Sequence, residues 1–203
     1  MNQKERAKSL GYLFVIGGPG GSGASTIARM LAEHFSLKRV YGGKMFRSLL
    51  KKAGYEESDD AYFKKNEKLL KKLDKQVDTL LMTEIQNPNV LIESKNFAAL
   101  ATKKKITCTV RVWITASLNV RAQRTLLKQG IKPGFKSFHK YLEARNNLRN
   151  RYRIDSMRYS SLYGINYDKP EEYNDIVIDS SNLNEKETFD LILKRIKDGG
   201  YIK

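Results

Sequence analysis

Residues 12–35, YLFVIGGPGGSGASTIARMLAEHF, constrain this chain more than any other stretch. Tyr12 to Ile16 is a short apolar run of aromatic and β-branched residues, the composition of a buried strand. Gly17 to Gly23 holds five glycines in seven residues, and Ile27, Met30, Leu31 and Phe35 then recur at helical spacing. Strand, glycine-rich turn and helix in that order form a phosphate-binding loop. The glycines let successive N–H groups turn inward toward an anion, and the helix starting near Ala24 adds the positive end of its dipole. In the pattern GxxxxGK(S/T), Gly18 and Gly23 fit, and Ser25 holds the place of the magnesium-binding hydroxyl. Gly20, Gly21, Ser22, Ala24 and Thr26 complete the expected cofactor-binding loop. Residue 24 is alanine where the pattern has lysine, so the point charge on the β- and γ-phosphates is missing. The alternative is a glycine-rich turn that joins strand to helix and binds nothing.

Further strands are expected at 38–41, 90–94, 109–115 and 175–179, and helices at 25–35, 44–53, 60–86, 117–128, 136–160 and 185–197. The short spacings between strands and helices predict an α/β chain: a five-stranded parallel sheet with helices on both faces. VLIES and DIVIDSS are apolar runs ending in polar residues, as expected of strands that present side chains at a C-terminal, ligand-binding edge. A length of 203 residues suits one domain with small insertions. Lys and Arg number 38 against 22 Asp and Glu, a formal charge of +16 that favours anionic partners. Nothing approaches transmembrane length and no leader is apparent, so no membrane partner and a cytoplasmic location are expected. Cys108 stands alone and is read as part of a strand core.

In the expected helix 60–86, Leu69, Leu70, Leu73, Val77, Leu80 and Leu81 share a broad face and lysines cover much of the rest. An amphipathic helix with a solvated basic face is the plain reading; a nucleic-acid surface is the secondary one. Lys103–Lys105 reads as a basic turn between strands. Three other stretches stand out: YGGKMFR at 41–47, IESK at 92–95 and RYRIDSMRY at 151–159. On a helix Arg151, Asp155 and Arg158 share one face, either as a clamp for an anionic, hydrogen-bonding ligand or as a surface ion-pair ladder. His34 and His139 are read as ordinary helix or surface positions.

From the glycine loop to DIVIDSS, this order of motifs resembles the cytidylate kinases, in particular the short archaeal-type members of the nucleoside monophosphate kinase family. That family carries GPxGSGK(S/T)T, then SAGDIFR, an acidic residue after the third strand, an arginine-rich lid, and R…D…R followed by YGID; here the last reads YGIN at 163–166. The resemblance implies a P-loop kinase fold in one domain over 1–203. Its core would cover 10–43, 88–127 and 160–203, with monophosphate-binding helices near 44–87 and a lid near 128–150. It implies ATP and Mg²⁺, and transfer of a phosphoryl group from ATP to CMP or dCMP, with nucleotides as partners and a monomeric chain. Ser25 and Glu93 would serve the metal; Arg47, Lys95, Arg151, Asp155 and Arg158 would bind the acceptor; Arg121, Arg124 and Arg145 would belong to the lid and donor side. Lys44 stands where the family has Asp, Tyr41 where it has a small residue, and Ser94-Lys95 where it has Gly-Arg. One lysine is lost at 24 and one gained at 44, so Lys44 is a candidate, with Arg47, Arg151 and Arg158, for the catalytic charge. The alternatives are a nucleotide-binding sensor or scaffold without catalysis, and a basic RNA-binding protein on a kinase-like fold.

Overall fold

A computed structural model describes residues 8–55, 66–132 and 134–202. Among the described residues there are five strands: β1 (Leu13–Gly17), β2 (Lys38–Tyr41), β3 (Val90–Glu93), β4 (Val110–Thr115) and β5 (Ile176–Asp179). Among the described residues the α-helices are α1 (Ala24–His34), α2 (Gly42–Lys52), α3 (Glu67–Glu84), α4 (Phe97–Lys103), α5 (Leu118–Lys128), α6 (Phe138–Tyr163) and α7 (Glu185–Asp198). The strands form one parallel sheet in the order β2-β3-β1-β4-β5. The expected α/β architecture is present.

Position in the sheet explains the sequence pattern of each strand. Central β1, LFVIG, is buried along its whole length, whereas edge strand β5 alternates buried and exposed residues. Phe14 and Ile16 pack with Ile27 and Leu31 of α1 and with Ile192 and Ile196 of α7 on one face. Leu13 and Val15 pack with Val77 and Leu81 of α3 and Phe97 and Leu100 of α4 on the other. Each such fully buried aliphatic or aromatic side chain contributes about 1.5–3 kcal/mol relative to exposure, before entropy is subtracted.

Local signals set several helix boundaries. Asn184 and Glu187 make a reciprocal capping box at the start of α7, and the Ser117 hydroxyl accepts from the Val120 N–H at the start of α5. Gly164 ends α6 at φ +60°, a left-handed turn that glycine adopts without steric cost.

Several expectations need correction. Helix α4 was not expected; its seven residues, FAALATK, are too short and too uniformly apolar to display a helical period. Lys103 closes that helix, so the basic turn of Lys104 and Lys105 joins a helix, not a strand, to β4. Cys108 precedes β4 and is half-buried, its Sγ 3.8 Å from the Ile106 carbonyl. Leu80 is exposed, and Asp74 and Asp78 occupy buried positions on α3 instead. The first part of the expected 60–86 helix, with Lys64 and Lys65, lies outside the described residues. Residues 135–137 form a 3₁₀ turn, and α6 runs three residues past the expected end at 160.

Candidate active site

The glycine loop leaves the C-terminal end of β1 and turns directly into α1, so its N–H groups sit at a helix N-terminus. Gly18 is needed because a Cβ there would lie 2.3 Å from the Ile114 carbonyl oxygen. Gly21 and Gly23 take φ values of +80° and +95°, and Gly23 is the residue from which α1 begins. Buried Ser22 turns its hydroxyl inward and accepts from the Ala24 N–H at 3.4 Å. Two arginines of α5 hold the loop from behind. Arg121 Nε donates to the Gly20 carbonyl at 2.7 Å, and Arg124 donates to the carbonyls of Ser22, Ser180 and Leu183. Both guanidiniums thereby fix the backbone on which an anion would rest, and burial lowers the Arg121 pKa.

At the neighbouring strand end the Ser25 hydroxyl donates to Glu93 Oε1. Glu93 closes β3 and is only 5% exposed. Its other oxygen accepts from Arg39 of β2, from Nε at 2.8 Å and from Nη2. Arg39 was missed in the sequence; a charged residue in an edge strand carries no motif. Register explains the meeting: Tyr41 of β2 and Ile16 of β1 both pair with Glu93, so β2, β3 and the loop end at one level. Hydroxyl and carboxylate side by side are hard oxygen donors suited to Mg²⁺, directly or through water. This pair therefore fits the metal that the motif implies.

A cleft opens beside the loop, lined by Pro19, Gly20, Lys95, Arg121, Arg151 and Asp155. Lys95 follows β3 and pairs with Asp155 of α6. Burial lowers the Lys95 pKa; at Asp155 burial works upward, but Lys95, Arg158 and Arg151 together hold the carboxyl below its ordinary value. Arg158 reaches Asp155 Oδ1 from Nη2 at 3.0 Å and stands 2.7 Å from Asp74 Oδ2 through Nε. The second contact is an ion pair too misaligned for a hydrogen bond; among the described residues Asp74 Oδ2 and Arg158 Nε and Nη1 are buried without hydrogen-bond partners. Burial raises Asp74 to about 7 against the pull of Arg158, and it raises Asp78 as well. Asp78 accepts from the Tyr163 hydroxyl and from Asn96 Nδ2.

The structure brings Arg158, Asp155 and Lys95 into one network and Arg151 to the cleft above it. The exposed ladder offered as the alternative reading of 151–159 does not apply to Asp155 and Arg158, which are 3% and 6% exposed. Arg47 lies over the Tyr41 ring, its Cζ 4.9 Å from the centroid, while Arg39 approaches the same ring at 5.4 Å. Lys44 is exposed on the first turn of α2, without an ion pair among the described residues. Arg145 donates to Asn119 Oδ1, joining α6 to the start of α5. Asp74 and Asp78 were missed because they interrupt a lysine-rich helix; their spacing, Asp74 four residues after Leu70 and Asp78 three before Leu81, was the available signal.

A protein-family profile described as AAA domain matches residues 16–131. The chain is 31% identical over 190 residues to a cytidylate kinase of Methanopyrus kandleri, covering 91% of this chain and 92% of that protein. It is 31% identical to a cytidylate kinase of Pyrococcus furiosus over 89% of this chain and 85% of the relative, and 28% identical to one of Methanocaldococcus jannaschii over 91% and 97%. Among solved structures, a shikimate kinase from Bacteroides thetaiotaomicron matches with a TM-score of 0.54 at 11% identity, covering 94% of this chain and 99% of that one. One from Aquifex aeolicus gives 0.52 at 18% identity, over 92% and 97%. At those identities the structural likeness speaks for the fold.

Proposed function

The chain belongs to the cytidylate kinase family, and from that premise we propose that it transfers the γ-phosphoryl group of ATP to CMP or dCMP. The observation that carries this reading is the buried Lys95–Asp155–Arg158–Asp74 network beside the glycine loop, with a buried Arg158 Nη1 that has no acceptor among the described residues. A donor left unpaired in the interior costs about 1–3 kcal/mol, a deficit that a bound monophosphate nucleotide would relieve.

The residues divide the work by charge. Loop N–H groups from Gly18 to Thr26 cradle the donor phosphates, with Arg121 and Arg124 keeping the loop in shape. Ser25 and Glu93 would hold Mg²⁺, whose chemistry there would be to offset the negative charge of the donor phosphates. Arg47 and Arg151 hold the acceptor phosphate, and Asp155 with Arg158 reads the nucleoside. An acceptor phosphate oxygen attacks the γ-phosphorus in line, that new P–O bond forms as the bond to the β-phosphate oxygen breaks, and ADP and the diphosphate leave. The attacking oxygen is already anionic, so no general base is needed. Positioning and charge neutralisation supply the rate. Lys44 supplies the cation that residue 24 lacks, and the connection and helix over 128–150 close as a lid that keeps water from the γ-phosphate.

A coupled assay with ATP and a panel of monophosphates tests this directly. CMP or dCMP should give the highest kcat/KM, with AMP far behind. AMP as best acceptor would sink the assignment. ATP and CMP binding without turnover would favour the sensor or scaffold alternative.

A further inference from the structure

Between Leu118 and Ile154 the chain carries ten Lys and Arg residues and one acidic residue, Glu143. Phosphoryl transfer accounts for only part of that charge. Arg121, Arg124 and Arg151 turn inward to the loop and cleft. On α6, Phe138, Leu142, Asn146, Arg149, Arg153 and Met157 recur every three or four residues, and all six are exposed. They make a stripe about 28 Å long at ~1.5 Å per residue. Its upper end is apolar: Phe135 is 99% exposed, Phe138 is 56% exposed, and the Phe138 ring stacks on Tyr141 with an interplanar angle of 24°. Lys128, Lys132, Lys136 and Lys140 are exposed in the stretch that leads into that end and through its first turn, and neither they nor Arg149 and Arg153 have an ion pair among the described residues.

We propose that this outer stripe of α6, with the aromatic tip at its start, binds a short stretch of single-stranded nucleic acid. Aromatic faces that accept stacked bases, followed by cations that track phosphates, are the two parts a sequence-tolerant single-strand site needs. The stripe's length corresponds to the low end of the roughly 4–16 nucleotides that such sites cover. A flat anionic membrane would engage the apolar tip and the lysines near it, whereas Arg149 and Arg153 continue down the helix away from that end. The surface is separate from the cleft, because Arg151 and Asp155 of the same helix face inward.

Fluorescence anisotropy with a labelled 12-nucleotide RNA or DNA of mixed sequence tests the site on the whole chain, in saturating ATP, Mg²⁺ and CMP. It needs no turnover, so it stands apart from the kinase assignment. Binding should weaken with salt at a slope of about −0.7 for each phosphate contacted. The double variants Phe135→Ser/Phe138→Ser and Arg149→Glu/Arg153→Glu should each weaken binding by roughly tenfold or more at an unchanged melting temperature. Binding at parental strength in either variant would overturn the proposal. So would no binding at all, or binding lost when ATP and CMP are added, since the oligomer would then occupy the cleft. Phosphatidylserine vesicles form the last arm: if the variants lose vesicle binding but keep the oligomer, the stripe is a lipid surface and the proposal fails.

Discussion

Ser25 and Glu93 are 68 residues apart in the chain, yet their side chains meet, and Arg39 fixes the far carboxylate oxygen. That leaves the Oε1 side of Glu93 turned toward the loop, where a metal bound to the Ser25 hydroxyl would sit. Ser25→Ala should therefore weaken ATP binding in Mg²⁺ and leave binding of metal-free ATP to the loop amides nearly unchanged; titrations with Mg²⁺ and with chelator check this. Equal loss under both conditions would point to damage to the loop instead. Lys44 is the second test at this scale. Its exposed ammonium on the first turn of α2 lies near the positive end of a helix dipole, an unfavourable place for a cation without an anionic partner. Lys44→Ala should cut turnover by about 10²–10³-fold, the size of one transition-state charge contact. Adding Ala24→Lys should restore part of it. Full activity in Lys44→Ala would instead assign the missing charge to the cleft cations Lys95, Arg121 and Arg151.

The contact between α3 and α6 is built from ionisable side chains, not from apolar packing alone. Asp74 meets Arg158, and Asp78 meets the Tyr163 hydroxyl. The groups facing Asp74 are Arg158, Asp155, Asp78 and Lys95. Burial raises its folded pKa to about 7, above the ordinary carboxylate value of ~3.9, so between these values the folded chain holds a proton that the unfolded chain releases. This carboxyl accordingly reduces stability as pH rises from about 4 to about 7. Asp74→Asn removes the titration. The melting temperature of the parent minus that of Asp74→Asn should fall across that window, measured at several pH values. A flat difference would mean that Arg158 keeps Asp74 ionised throughout. Asp155→Ala should be more costly, about 3–5 kcal/mol, because it strands the charges of Lys95 and Arg158 in a largely buried site. Denaturant unfolding reads that loss, and the milder Asp155→Asn separates it from loss of discrimination between CMP and other acceptors.

Over the whole molecule, ligand binding should register as stability. Mg²⁺–ATP at about 100 times its dissociation constant should add about 2.7 kcal/mol, and CMP should add a further increment in the presence of an inert ATP analogue. No protection by either nucleotide would remove the kinase reading altogether. How much of this was legible beforehand follows from the range of the interactions. The loop at 17–23, the strand before it and the helix after it are local: glycine torsions, β-branched runs and a 3.6-residue period are written in neighbouring residues, and the parallel sheet follows from their alternation. Asp155 and Arg158 were legible as a pair because they are one helical turn apart. Arg39 against Glu93, Lys95 against Asp155 and Asp74 against Arg158 were not, since each pair joins two elements separated by 54, 60 and 84 residues. The sequence by itself determined that a phosphate-binding loop opens a parallel α/β sheet, because backbone torsion and hydrophobic period are local. Only the tertiary structure decided which charges are buried together at the strand ends, because strand register and helix packing bring distant carboxylates and cations within ~3 Å of one another, where desolvation makes each depend on its partner.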